Sequence, residues 1–208
     1  MKNLMTNPNR LFTWTLFLAF GAFGTCVATA ADEMTAFKLV KEGNQYVGAD
    51  AKDRVVQIRS EKSEGSVTPN VWWIVYYDPD ATLKAMEVKF VGGKKQSVKR
   101  PLRLLEPISG GDVEMDKQKL KTDSDQVIKI ILKEQALQNV KITATEMKLQ
   151  HASEGFLGVA QTGDPVWMVK IWASKAPQLG RDTEIGEVFV AAADGKVLKS
   201  DLHLNRLD

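Results

Sequence analysis

Cysteine is nearly missing from this chain: 208 residues contain one, Cys26, alongside two histidines. No Gly-x-Ser-x-Gly elbow, His-Glu-x-x-His helix or Gly-rich loop with a following lysine occurs. Those absences leave no assembled nucleophile, zinc site or phosphate cradle. His151 lies near a loop and His203 follows Asp201 in an alternating tail, so neither has the partners a triad needs. The expectation is a protein that is not an enzyme, with no catalytic residue, no cofactor and no metal.

A long apolar run is also lacking. Lys2 and Arg10 precede an apolar stretch from Leu11 to Phe23, and Ala28-Thr29-Ala30 supplies small residues before a bond. This is the pattern of a secretory signal peptide cut between Ala30 and Ala31. Roughly 13 apolar residues are too few for a span of about 20, so no stable membrane insertion is expected. Phe23-Gly24-Thr25 is a poor approach to a lipidated cysteine. Cys26 leaves with the leader, which excludes disulfides, thiolate ligands and redox chemistry from the remainder. The expected location is periplasmic or secreted.

Charge of one sign is lacking too. Lys2 and Arg10 are the only charged residues before Ala31, so of the 28 basic and 26 acidic residues, residues 31–208 hold 26 of each. A balanced chain has no global attraction to nucleic acid or to an anionic membrane. Roughly 178 residues remain, enough to bury about 68–70% of the unfolded surface without a covalent staple.

What is present is a repeated pattern. Phe37, Val40 and Val47, with Leu39 beside them, suit a helical stripe, with Gly43 and Gly48 as stops. Val56 and Ile58 alternate with Gln57 and Arg59, as in a strand half in water. Pro69 introduces Val71-Trp72-Trp73-Ile74-Val75-Tyr76-Tyr77, apolar on both faces and therefore covered on both. Met86 to Val91, a Gly92-Gly93 turn and Val98 form a hairpin. Further on, Thr122, Asp123 or Ser124 can cap a helix bearing Val127, Ile130, Ile131 and Leu137 on one face. Val140 to Leu149 reads as a strand whose alternation slips at Glu146-Met147, suggesting a bulge. Pro165 introduces Val166-Trp167-Met168-Val169-Lys170-Ile171-Trp172, and a strand through Phe189 and Val190 meets Val197 across a two-residue Asp194-Gly195 turn.

The reading is an α+β protein of two tandem repeats, each a helix packed on a small antiparallel β-sheet. Residues 1–30 are the signal peptide, 31–106 the first repeat, 107–120 a Pro/Gly/Ser linker and 121–208 the second repeat. Asp78-Pro79-Asp80 reads as a turn rather than a metal site. Lys94, Lys95, Lys99, Arg100 and Arg103 make the most basic patch, read first as an edge strand's defence against edge-to-edge pairing. Glu87 and Glu187 read as solvated.

The second repeat resembles the PepSY domain of secreted metallopeptidase propeptides and bacterial envelope proteins. The likeness lies in the short helix from Ser124 to Leu137, in Pro165-Val166-Trp167-Met168-Val169-Lys170, and in the closing stretch from Val188 to Leu198. It departs from that pattern where Ala191 and Ala192 stand before the turn and where Asp194 replaces threonine. The first repeat keeps only the Trp72 strand and the Gly-Gly hairpin. The resemblance implies a PepSY/cystatin-like helix on an antiparallel sheet and a non-catalytic role, binding or inhibiting a peptidase. Trp72, Trp73, Tyr76, Tyr77, Trp167 and Trp172 are the candidate binding residues, because aromatics anchor interfaces at low entropy cost. The expected partner is another envelope or secreted protein. The alternative is a structural or assembly role in which all these aromatics are core.

Overall fold

Alternation along the Trp72 strand sets the architecture. The computed structural model describes residues 34–102, 114–152, 162–174 and 182–207; the expected leader, the first half of the linker and Arg103 lie outside them. Two helices, α1 (Ala36–Gly43) and α2 (Ser124–Ile131), accompany eight strands. These are β1 (Val55–Ser60), β2 (Val71–Tyr77), β3 (Ala85–Val91), β4 (Lys94–Lys99), β5 (Lys141–His151), β6 (Pro165–Ser174), β7 (Thr183–Ala191) and β8 (Val197–Leu202). Three short 3₁₀ turns, at Lys117–Lys119, Gln135–Leu137 and Leu204–Leu207, complete the described elements. Sheet and helices belong to one compact unit, Glu33–Asp208.

The two small sheets expected from the sequence are a single sheet. Its eight antiparallel strands run in the order β4-β3-β2-β1-β5-β6-β7-β8. The join is β1 on β5, where Ile58 faces Leu149 and Arg59 faces Lys148. Two separate sheets would each have left an inner edge of unpaired N–H and C=O groups; joining them satisfies both edges. β1 is therefore central rather than half in water, and Gln57 is only 8% exposed. The helices are not independent either. Ala36 N–H donates to Ser124 Oγ and Phe37 N–H to Asp123 Oδ1, each at 3.0 Å. One hydrophobic cluster takes Ala36 and Leu39 from α1, Val127, Ile128 and Ile131 from α2, and inward residues of β1, β2, β3, β5, β6 and β7. The PepSY/cystatin-like repeat architecture gives way to a mostly-β protein with two short helices on one sheet face.

Local signals are settled in detail by their surroundings. Asp123 is the cap of α2, with Gln126 completing a capping box. Both helices end earlier than their apolar stripes: Val47 lies beyond α1, and Leu137 reaches the core from a 3₁₀ turn. Gly92 and Gly93 hold φ of 55° and 76°, the pair of positive angles a type I′ hairpin turn requires. The β7–β8 connection is different. Gly195 N–H donates to Ala191 O, and Ala191 N–H to Lys196 O. Only Gly195 takes positive φ there, so the link is four residues long rather than an Asp194-Gly195 type I′ turn. Ala192 explains the extra length: it is fully buried, and its carbonyl accepts from Lys121 and Thr122 N–H. The bulge in β5 falls between Ile142 and Ala144, not at Glu146-Met147.

Candidate functional site

The six candidate aromatics divide by strand parity into two sets of three. Trp72, Tyr76 and Trp167 point under the helices and are at most 2% exposed. Each gives its one polar hydrogen to a backbone carbonyl. Trp72 Nε1 donates to Pro69 O at 3.0 Å, Tyr76 Oη to Val40 O at 3.0 Å, and Trp167 Nε1 to Thr122 O at 2.9 Å. Phe37 of α1 packs on Trp167 with ring centroids 6.2 Å apart. Burial pushes the Tyr76 hydroxyl well above the ordinary tyrosine range, and the Asp53 charge adds to this. These three are core.

Trp73, Tyr77 and Trp172 sit on the opposite sheet face and are half-buried. Each carries a cation on its ring. Arg59 and Lys89 lie 4.5 and 4.6 Å from the Trp73 ring centre, Arg54 4.3 Å from Tyr77, and Lys62 4.8 Å from Trp172. Register explains the arrangement at Trp73, since Arg59 on β1 and Lys89 on β3 are its direct cross-strand neighbours. Acids then fix the cations in place. Arg59 donates to Glu87 at 2.7 Å, Lys89 reaches Glu61 at 3.5 Å, and Lys62 stands 3.7 Å from Asp182. Arg54 pairs with Glu114, whose hydrogen bond raises the affinity of the guanidinium for its proton. Glu87, with a side chain 13% exposed, is paired rather than solvated.

Each of the three rings is thus covered by a cation that an acid also contacts. Such cation–π contacts contribute about 0.5–1 kcal/mol each at exposed sites. The cations were not legible as site residues, because only strand register brings Arg59 and Lys89 to Trp73. The sole sequence hint was that Arg59 and Lys89 each lie on the polar side of an alternating strand.

Other groups have structural duties. Asp78 is 2% exposed; its Oδ1 accepts from Asp80 N–H and its Oδ2 from Arg100 Nε, which makes the expected turn. His203, just past the end of β8, places its Nε2 3.5 Å from Asp201 Oδ1. Among the described residues no cluster of three or more His, Cys, Asp or Glu is placed to hold a metal, and no helix is long and apolar enough to cross a membrane.

Comparison with known proteins returns nothing that bears on this face: no family model matches the chain, and neither does any curated protein or solved structure.

Proposed function

We propose that this is an exported, non-enzymatic binding protein of the cell envelope that engages another protein through Trp73, Tyr77 and Trp172. One observation carries the reading: three half-buried rings share the sheet face away from the helices, each under a cation held by an acid. Rigid aromatics flanked by oriented guanidinium and ammonium groups suit a protein surface, where aromatic and arginine anchors supply most of the binding energy. A secreted peptidase, the partner class the family resemblance implied, is the first to assay. The structural alternative draws on Trp72, Tyr76 and Trp167, which are core, but it assigns no task to the cation-bearing set.

The test is capture from the native envelope and secreted fraction with residues 31–208. A stoichiometric partner lost on Trp73→Ala or Trp172→Ala, with the fold kept, supports the reading. A partner retained by both variants, or none captured, sinks it.

A further inference from the structure

The sheet has two ends, and they are not alike. β4 closes one end, and among the described residues it pairs only with β3. Five of its six residues are exposed, more than on any other strand. From Lys84 to Arg100 the chain carries Lys84, Lys89, Lys94, Lys95, Lys99 and Arg100 against Glu87 alone. Residues 31–208 balance only when this segment is counted with the rest, so that is a strong concentration on one edge.

Partnering sharpens the contrast. Lys89 and Arg100 have acids, Glu61 and Asp78, and Glu87 is taken by Arg59. Lys95 lies 5.2 Å from the Tyr46 ring centre. Among the described residues, no carboxylate stands within ion-pair distance of Lys94, Lys95 or Lys99. At the other end, on β8, Lys199 already faces Asp201 at 3.5 Å. Beside the unpaired lysines, Val98 on β4 and Val91 on β3 are 39% and 36% exposed. Among the described residues, the β4 edge therefore offers main chain with no further strand on it, lysines with no carboxylate at ion-pair distance, and shallow apolar contact together.

We propose that β4 is a docking edge for an extended acidic segment of a partner protein, which adds antiparallel as a ninth strand. Main-chain hydrogen bonds give such an addition its affinity, and alternate side chains give it selectivity. The lysines do both jobs the edge needs. A second copy pairing β4 to β4 brings together two strands that each carry Lys94, Lys95 and Lys99, a like-charge contact that opposes self-association. A segment with glutamate or aspartate at alternate positions meets Lys94 and Lys99 instead, which the register irregularity beside Gln96 leaves on one face, so the same charges reject one strand and admit another. This goes beyond the aromatic face and does not depend on it.

The experiment uses residues 31–208 and three labelled synthetic decapeptides. One alternates Glu and Val, one alternates Lys and Val, and the third is the Glu-Val peptide N-methylated at every second amide. Binding is read by anisotropy, and the site by backbone hydrogen exchange. The Glu-Val peptide is expected to bind, to weaken at high salt as the charges are screened, and to slow exchange in β4 but not in β8. N-methylation is expected to weaken binding on the order of tenfold or more by removing main-chain donors. The triple variant K94E/K95E/K99E, altered only at exposed positions, is expected to transfer preference to the Lys-Val peptide. Four results overturn the proposal: no binding of the Glu-Val peptide, equal binding of the N-methylated form, unchanged exchange in β4, or capture by phosphatidylglycerol vesicles in place of the peptide.

Discussion

Asp123 Oδ1 accepts a hydrogen bond from Phe37 N–H at 3.0 Å as well as from Ser124 N–H at 2.7 Å, so the cap of α2 also caps α1. Two eight-residue helices, each too short to be stable alone, meet at their N-terminal ends around one carboxylate. Both helix dipoles favour negative charge at that point.

Asp123→Ala is expected to cost about 2 kcal/mol, the upper range for losing a cap, because two helix starts lose an acceptor together. Asp123→Asn keeps an acceptor oxygen and is expected to cost less than half of that. Urea denaturation with an unchanged slope measures both. A loss of only a few tenths for the alanine variant would mean the shared cap carries little.

Gly43 ends α1 against Tyr76, where a Cβ at Gly43 would collide with the Tyr76 hydroxyl. Gly43→Ala is therefore expected to destabilise by about 1–3 kcal/mol through overpacking. Combined with Tyr76→Phe, which removes the clashing oxygen, its cost should fall. Strict additivity in a double-mutant cycle counts against this contact as the cause.

Tyr76 also predicts alkaline sensitivity. Burial raises its pKa in the folded protein above the unfolded value of about 10. The folded state then holds the proton more tightly, so this contribution is fully present below about pH 10 and is lost as pH rises further. The slope approaches about 1.4 kcal/mol per pH unit. Thermal melts between pH 9 and 11 should show a steeper fall for the parent chain than for Tyr76→Phe; parallel curves would contradict it.

The centre of the sheet leans on two serines. Met147 N–H donates to Ser60 Oγ and Thr145 N–H to Ser63 Oγ, both at 2.9 Å, beside the short β1–β5 pairing. Ser63→Ala leaves the Thr145 amide buried without its acceptor and is expected to cost about 1–3 kcal/mol. Hydrogen exchange at Thr145 should rise well above that of its β6 partner Ile171.

The two aromatic sets predict unequal outcomes. Trp167→Ala opens a cavity in the core and is expected to cost about 3–5 kcal/mol, whereas Trp73→Ala removes a half-buried ring and should cost about 1 kcal/mol. Iodide should quench the fluorescence of Trp73 and Trp172 while sparing Trp72 and Trp167. Full shielding of all four would place the cation-bearing set in the core as well.

Much of the fold was legible wherever a signal is local. Thr122, Asp123 and Ser124 announced a cap without saying which of them serves, Gly92-Gly93 a tight hairpin, and the prolines at 69 and 165 the start of a strand. The Asp194-Gly195 turn misled because Ala192 is held by α2's approach segment, a contact distant in sequence. Glu87 misled for the same reason: its arginine, Arg59, sits 28 residues away. The candidate site was half legible. All six aromatics could be named, yet which three stay half-buried could not.

By itself, then, the sequence determined the alternation of most strands, the neighbourhood of the α2 cap, the Gly92-Gly93 turn, and the cysteine-free, charge-balanced character of residues 31–208. These depend on neighbours within a few residues, where sterics and hydrogen bonding act directly. Only the tertiary structure decided that β1 and β5 join the strands into one sheet, that the helices share a cap and one face, and hence which side of β2 and β6 is covered. Strand parity divides side chains into two sets, but nothing local says which set meets the core; that is chosen by where distant apolar helices can bury their stripes together.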